Sequence, residues 1–122
     1  AWLATSGLAL CESGFIAVGD GQQSISHPNL FAAGDVSTRI DFPHAKSGVY
    51  AVRAGPVLSI NLQRALNGQK PTSYQPQKRS LYLLATGPKE AILSWGSFAA
   101  AGGWAWTLKD WIDRRFMRQY QA

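Results

Sequence analysis

Gly34 and Asp35 are the residues whose types and setting most suit ligand chemistry. They close a short apolar run, Leu30-Phe31-Ala32-Ala33, and Val36, Ser37 and Thr38 follow at once. Such a run, ended by a turn-forming pair, reads as a buried strand of a parallel sheet. Ligands of open α/β sheets sit beyond the carboxyl ends of such strands. Gly34, with no Cβ, allows close approach to the backbone. Asp35 offers a carboxylate that accepts from ligand hydroxyls.

Other reactive side chains are sparse. His44 directly follows Pro43 and can serve as a proton donor or simply end a loop or cap a helix; the second reading is preferred. Cys11 is the single cysteine and reads as a small hydrophobe rather than a working thiol. Two histidines far apart in sequence and one cysteine support no metal site. No residue is assigned a catalytic role.

The elements that must position Gly34 and Asp35 follow from patterning, and the fold class is α/β, turning α+β in the C-terminal part. Gly14-Phe15-Ile16-Ala17-Val18 is β-type and ends in the turn Gly19-Asp20-Gly21, so strands are expected over 14–18 and 30–34. Residues 1–10 support no assignment. Pro43 suits a first helical position and Asp41 a cap, and apolar residues recur at helical spacing from Val49 to Leu66. A helix is expected over about 44–67, kinked at Gly55-Pro56 and closed by Asn67-Gly68. Leu81–Ala85 and Ala91–Trp95 flank Thr86-Gly87-Pro88-Lys89-Glu90 and predict a β-hairpin over about 80–96. Residues 98–103 look small and flexible. Trp104, Leu108, Ile112, Phe116 and Tyr120 recur at i, i+4 and predict an amphipathic helix over about 104–120. A boundary is expected at the linker, giving domains 1–68 and 69–122.

Composition bounds the function. The 122 residues are 46% hydrophobic and 16% charged, a globular profile large enough for a real core. Lys and Arg outnumber Asp and Glu by 12 to 7, but only Arg114, Arg115 and Arg118 cluster, which argues against nucleic-acid binding. A lone cysteine suits a reducing compartment, here the cytoplasm. No apolar run is long enough to span a bilayer. The first residue is not Met, and no signal peptide is apparent, so the chain reads as a fragment or a processed product.

Gly14-Phe15-Ile16-Ala17-Val18 followed by Ser26-His27-Pro28-Asn29-Leu30-Phe31-Ala32-Ala33-Gly34-Asp35 resembles the segment that closes the FAD domain of the pyridine nucleotide-disulfide oxidoreductase superfamily. Pro43 to Arg53, Thr86-Gly87, Trp95-Gly96 and Trp111 to Met117 are similar to the NADH dehydrogenase-like flavoproteins, closest to those joined or linked to selenide, water dikinase. The resemblance covers nearly all of the chain. It implies that 1–68 is the C-terminal end of an FAD-binding domain and 69–122 an interface-type domain. It implies an FAD site made by Gly34, Asp35 and Val36, with Asp35 on the ribityl chain. It also implies that the amides of Ala45, Lys46 and Ser47, at a helix N-terminus, face the flavin pyrimidine edge. The implied activity is hydride transfer from NAD(P)H, the substrate, through FAD to a quinone or other acceptor.

Departures narrow this. The His-Glu pair of the disulfide reductases is absent, since neither His27 nor His44 lies in the C-terminal part, and the redox cysteines of sulfide:quinone reductases are not supplied. No Gly-x-Gly-x-x-Gly fingerprint occurs. The expectation is therefore the C-terminal third of a flavoprotein, whose partner is the remainder of the parent. By itself it is expected to bind FAD poorly and catalyse nothing. The aromatic terminal helix has three readings: domain core, homodimer interface, or peripheral membrane contact. The alternative from another class is a small α/β interaction or dimerisation module without catalysis.

Overall fold

The computed structural model describes residues 2–120. The fold is mixed α/β, with two helices and two sheets among the described residues. The chain forms two compact units, Ala1–Gln77 and Lys78–Ala122.

In the first unit, strand β1 (Ile16–Val18) pairs in parallel with β2 (Ser37–Arg39), with Ile16 opposite Ser37 and Val18 opposite Arg39. All three β1 residues are buried, and Leu3, Leu8, Leu10 and Leu30 pack around Ile16, Val18 and Ala32. The small-residue N-terminal stretch thus contributes leucines to the core, after a 3-10 turn at Trp2–Thr5.

The strand expected over 30–34 is not formed. Leu30 O accepts from Ser24 N, Ala32 N donates to Gln22 O, and Phe31 makes an isolated bridge to Gln23. The run is therefore the return limb of a local loop rather than a ladder strand. Gly34, at φ +76°, then turns the chain into a 3-10 turn, Gly34–Val36. A positive φ is cheap for glycine alone. The parallel strand comes after the Gly-Asp pair, not before it. Its polar sequence, Ser-Thr-Arg, gave no apolar signal, yet Ser37 and Arg39 are buried because their polar groups find partners. Ser37 Oγ donates to Gly34 O at 3.2 Å, and Arg39 donates to Tyr74 O and to both carboxylate oxygens of Asp41.

Helix α1 spans Gly48–Leu66 and runs continuously through Pro56. It starts later than the expected residue 44. Asp41 does not cap it, because its carboxylate is taken by Arg39. Pro43 is not its first residue; Ser47 is the N-cap, without a side-chain cap hydrogen bond. The C-terminus closes as the Asn67-Gly68 signal requires. Gly68 N donates to Ala65 O at 3.0 Å and Gln69 N to Arg64 O at 2.8 Å, the paired bonds of a Schellman motif.

In the second unit, β3 (Leu81–Gly87) and β4 (Glu90–Trp95) form the expected antiparallel hairpin, and Thr86, Gly87 and Glu90 lie within the strands. A third strand, β5 (Phe98–Gly102), extends the sheet where a flexible stretch was expected. Helix α2 (Gly103–Met117) follows it with no loop. The small residues serve that junction: Gly102 has φ +142°, a conformation that side chains disfavour. Ala91, Leu93 and Ala105 form the buried core of this unit, joined by Leu81, Leu83, Trp106 and Leu108.

The inward face of the helix only partly follows the i, i+4 pattern: Leu108 packs on the core, and Ile112 and Phe116 are half-buried. Trp104 and Tyr120 are exposed, as is Trp111. Ala105 is the buried residue of the helix, in one cluster with Ala91 and Leu93. The helix surface is tied by Arg114–Asp110 and Lys109–Asp113 pairs. No helix among the described residues is long and apolar enough to cross a membrane.

Candidate functional site

Asp35 lies in the 3-10 turn before β2, with an exposed side chain. Gly34 precedes it, and a Cβ built on Gly34 would meet Ala51 Cβ of α1 at 3.5 Å. The turn is thus seated against the first turns of α1. Val36 is partly exposed beside it. The Gly-Asp turn and the start of α1 meet through Gly34 and Ala51, and Asp35 is near enough to Lys46 for its charge to act on the ammonium.

Ala45, Lys46 and Ser47 precede α1 rather than forming its first turn. The N–H groups of Tyr50 and Ala51 both donate to Ser47 O, at 3.1 and 3.2 Å. The first N–H groups of a helix have no intrahelical partner, and here no acidic residue occupies the first turn. Ser47 Oγ is buried and makes no hydrogen bond. The helix end consequently keeps its positive character.

Lys46 does not extend away from the protein. Its ammonium donates to Ser37 O and, at 2.7 Å, to Thr38 Oγ1, and lies 4.2 Å from the centroid of the Phe15 ring. Partial desolvation pushes its pKa down, while the charges of Cys11 and Asp35 oppose that shift. Lys46 therefore pins the connection to β2 and supplies positive charge near Asp35.

Cys11 joins the same group, which sequence reading missed. A hydrogen bond with the Thr38 side chain holds its thiol below the ordinary value, against desolvation, with help from the backbone at Phe15 and Ser13 and from Lys46. The thiol is half-buried and unpaired by any disulfide. The only signal in the sequence was the lysine, and its spacing from Cys11 gave no reason to join them.

His44 stacks on Tyr50, with ring centroids 4.3 Å apart and planes 11° from parallel. Its Nδ1 is 3.1 Å from Ala45 O. Both observations fit the structural reading of this histidine. Tyr50 in turn donates to Gln77 O at 3.3 Å. Among the described residues, no group of three His, Cys, Asp or Glu side chains gathers at metal-binding distance.

The arrangement offers an exposed carboxylate, a glycine turn open to close approach, and a positively polarised helix end. It can accept hydrogen bonds from hydroxyls and favour a polar or anionic edge. No protein-family model matches the chain, and no curated protein matches it.

Proposed function

We propose that this chain is the closing part of the FAD domain, together with the C-terminal domain, of an FAD-dependent NAD(P)H oxidoreductase. The kind is NADH dehydrogenase-like, within the pyridine nucleotide-disulfide oxidoreductase superfamily. The observation that carries the reading is the Ala32-Ala33-Gly34-Asp35 signature folded as a glycine turn with φ +76° and an exposed carboxylate. The uncapped start of α1 and the orphaned Ser47 Oγ beside it add support, since a polar ligand edge can satisfy such donors.

Gly34, Asp35 and Val36 would hold the ribityl side of FAD, and the amides leading into α1 from Ala45 to Ser47 its pyrimidine edge. FAD, when bound, supplies hydride acceptance from NAD(P)H and electron delivery to a quinone or other acceptor. The residues of this chain bind and orient it. They do not include a glycine fingerprint for the pyrophosphate. FAD added to the isolated chain should therefore show little fluorescence quenching; tight stoichiometric binding would contradict the fragment reading. The parent reading is tested upstream. Its reading frame should encode two Gly-x-Gly-x-x-Gly segments, and the full-length protein should lose FAD retention on Asp35→Ala. A parent without those segments, or one indifferent to that substitution, would overturn it.

A second reading rests on the second unit. Leu84 and Ile92 face each other across β3 and β4 on the side of the sheet away from α2, and Leu84 is 66% exposed. Trp104 and Trp111 are also exposed. Large apolar side chains exposed on both the sheet and the helix suit a non-catalytic interaction or dimerisation module. Concentration-dependent mass in sedimentation would support a homodimer. Liposome co-sedimentation lost on Trp104→Ala/Trp111→Ala would support membrane contact instead.

A further inference from the structure

Gln22 and Tyr74 are 2% and 5% exposed, and each carries a fully buried atom that makes no hydrogen bond within the protein: Gln22 Oε1 and Tyr74 Oη. Folded interiors pair nearly all such atoms, because an unpaired one is costly. Both residues line the same cavity, of about 20 Å³, with Ser37, Arg39 and Tyr50 among its walls.

The orientation of the Gln22 amide is fixed by its neighbour. Nε2 donates to Ala54 O at 3.4 Å. The flipped amide would set two acceptors against each other, so Oε1 is left as an acceptor in need of a donor. Burial pushes the Tyr74 hydroxyl above its usual pKa, so it keeps its proton and can donate as well as accept.

The backbones that carry the two side chains are both held in place. Gln22 sits at φ +64°, with its N–H on Gly19 O at 3.0 Å and its carbonyl taken by Ala32 N at 2.9 Å. Tyr74 is held at both backbone ends, by its N–H on Asp20 O at 2.8 Å and by Arg39 on its carbonyl. A polar cavity takes a water when it offers roughly 10–15 Å³ and two or more partners. This one is large enough for a single water and too small for an organic ligand.

We propose that the cavity is a specific site for one structural water, which donates to Gln22 Oε1 and accepts from the Tyr74 hydroxyl. The water completes the attachment of the 70–77 segment to the turn after β1. Water-selective NOE spectroscopy on the full chain tests this. A cross peak of long-lived water at the Gln22 side-chain amide protons is expected. Its absence would overturn the proposal. Oxygen-17 relaxation dispersion gives a second measure. Tyr74→Phe, which keeps the ring, should shorten the residence of one water about tenfold through loss of one hydrogen bond. Gln22→Leu/Tyr74→Phe should remove one long-lived water per chain. Dispersion unchanged in a folded double variant would also overturn the proposal.

Discussion

Asn61 Oδ1 accepts both the backbone N–H and the hydroxyl of Thr72, at 2.7 and 2.9 Å. The same side chain donates from Nδ2 to Gly21 O and Thr72 O, each at 2.9 Å. Asn61 is fully buried on α1. One amide therefore joins the helix to the turn after β1 and to the linker that follows the helix.

Replacing that amide should be severe. Asn61→Leu removes four hydrogen bonds, each worth about 1 kcal/mol, and leaves the buried Gly21 carbonyl without a partner. Urea denaturation is expected to show a loss of about 3 kcal/mol or more. A loss under 1 kcal/mol (on the order of a surface change) would mean that water replaces the amide.

Gly21 is constrained by contact. A Cβ placed there would lie 2.7 Å from Pro71 Cβ. Gly21→Ala should destabilise the first unit by about 1–3 kcal/mol through overpacking. Pro71→Gly in that background removes the opposing atom. The penalty of Gly21→Ala, measured by thermal denaturation, should then shrink; an unchanged penalty would put the clash elsewhere.

Arg39 and Asp41 predict an acid-sensitive contribution. The Arg39 side chain is 5% exposed and that of Asp41 46%. Hydrogen bonding from Arg39 holds the Asp41 carboxyl below its usual range. A carboxyl depressed by folding stabilises fully above its unfolded value of about 3.9 and loses that contribution as pH falls through its lower folded value. The exposed carboxylate makes the effect modest. The denaturation midpoint should drop on acidification below about pH 4. Asp41→Asn should lower the midpoint at neutral pH and flatten the acid slope, and retention of the wild-type slope would exclude this pair as its source.

Cys11 predicts a thiol chemistry that Thr38 controls. Its alkylation by iodoacetamide should titrate below the ordinary thiol value of about 8.5. Thr38→Val, which removes the leading cause of the lowering, should move that profile upward. Lys46→Gln should move it upward by less. Identical profiles in wild type and Thr38→Val would show that the hydroxyl does not stabilise the thiolate.

Much of the architecture was readable from local chemistry. Asn67-Gly68 stops α1 because its backbone hydrogen bonds are local, and the β3–β4 hairpin forms around a short turn. The apolar residues of β1 likewise find the core. These features depend on neighbours in sequence, and residue type alone is enough to specify them. The misreadings have one physical origin. Ser37 and Arg39 are buried in β2 only because Gly34 O, Tyr74 O and Asp41 accept their hydrogen bonds, and Tyr74 is distant in sequence. Asp41 cannot cap α1 for the same reason. Ala105 and Trp106, not Trp104 and Trp111, pack with the sheet residues, because periodicity in large apolar residues cannot tell which face of a helix approaches. Gly34 and Asp35 were named from sequence, yet the sequence could not say that they precede the parallel strand. Tertiary pairing decided that order, and it also assembled Cys11, Thr38 and Lys46, whose grouping no local pattern encodes.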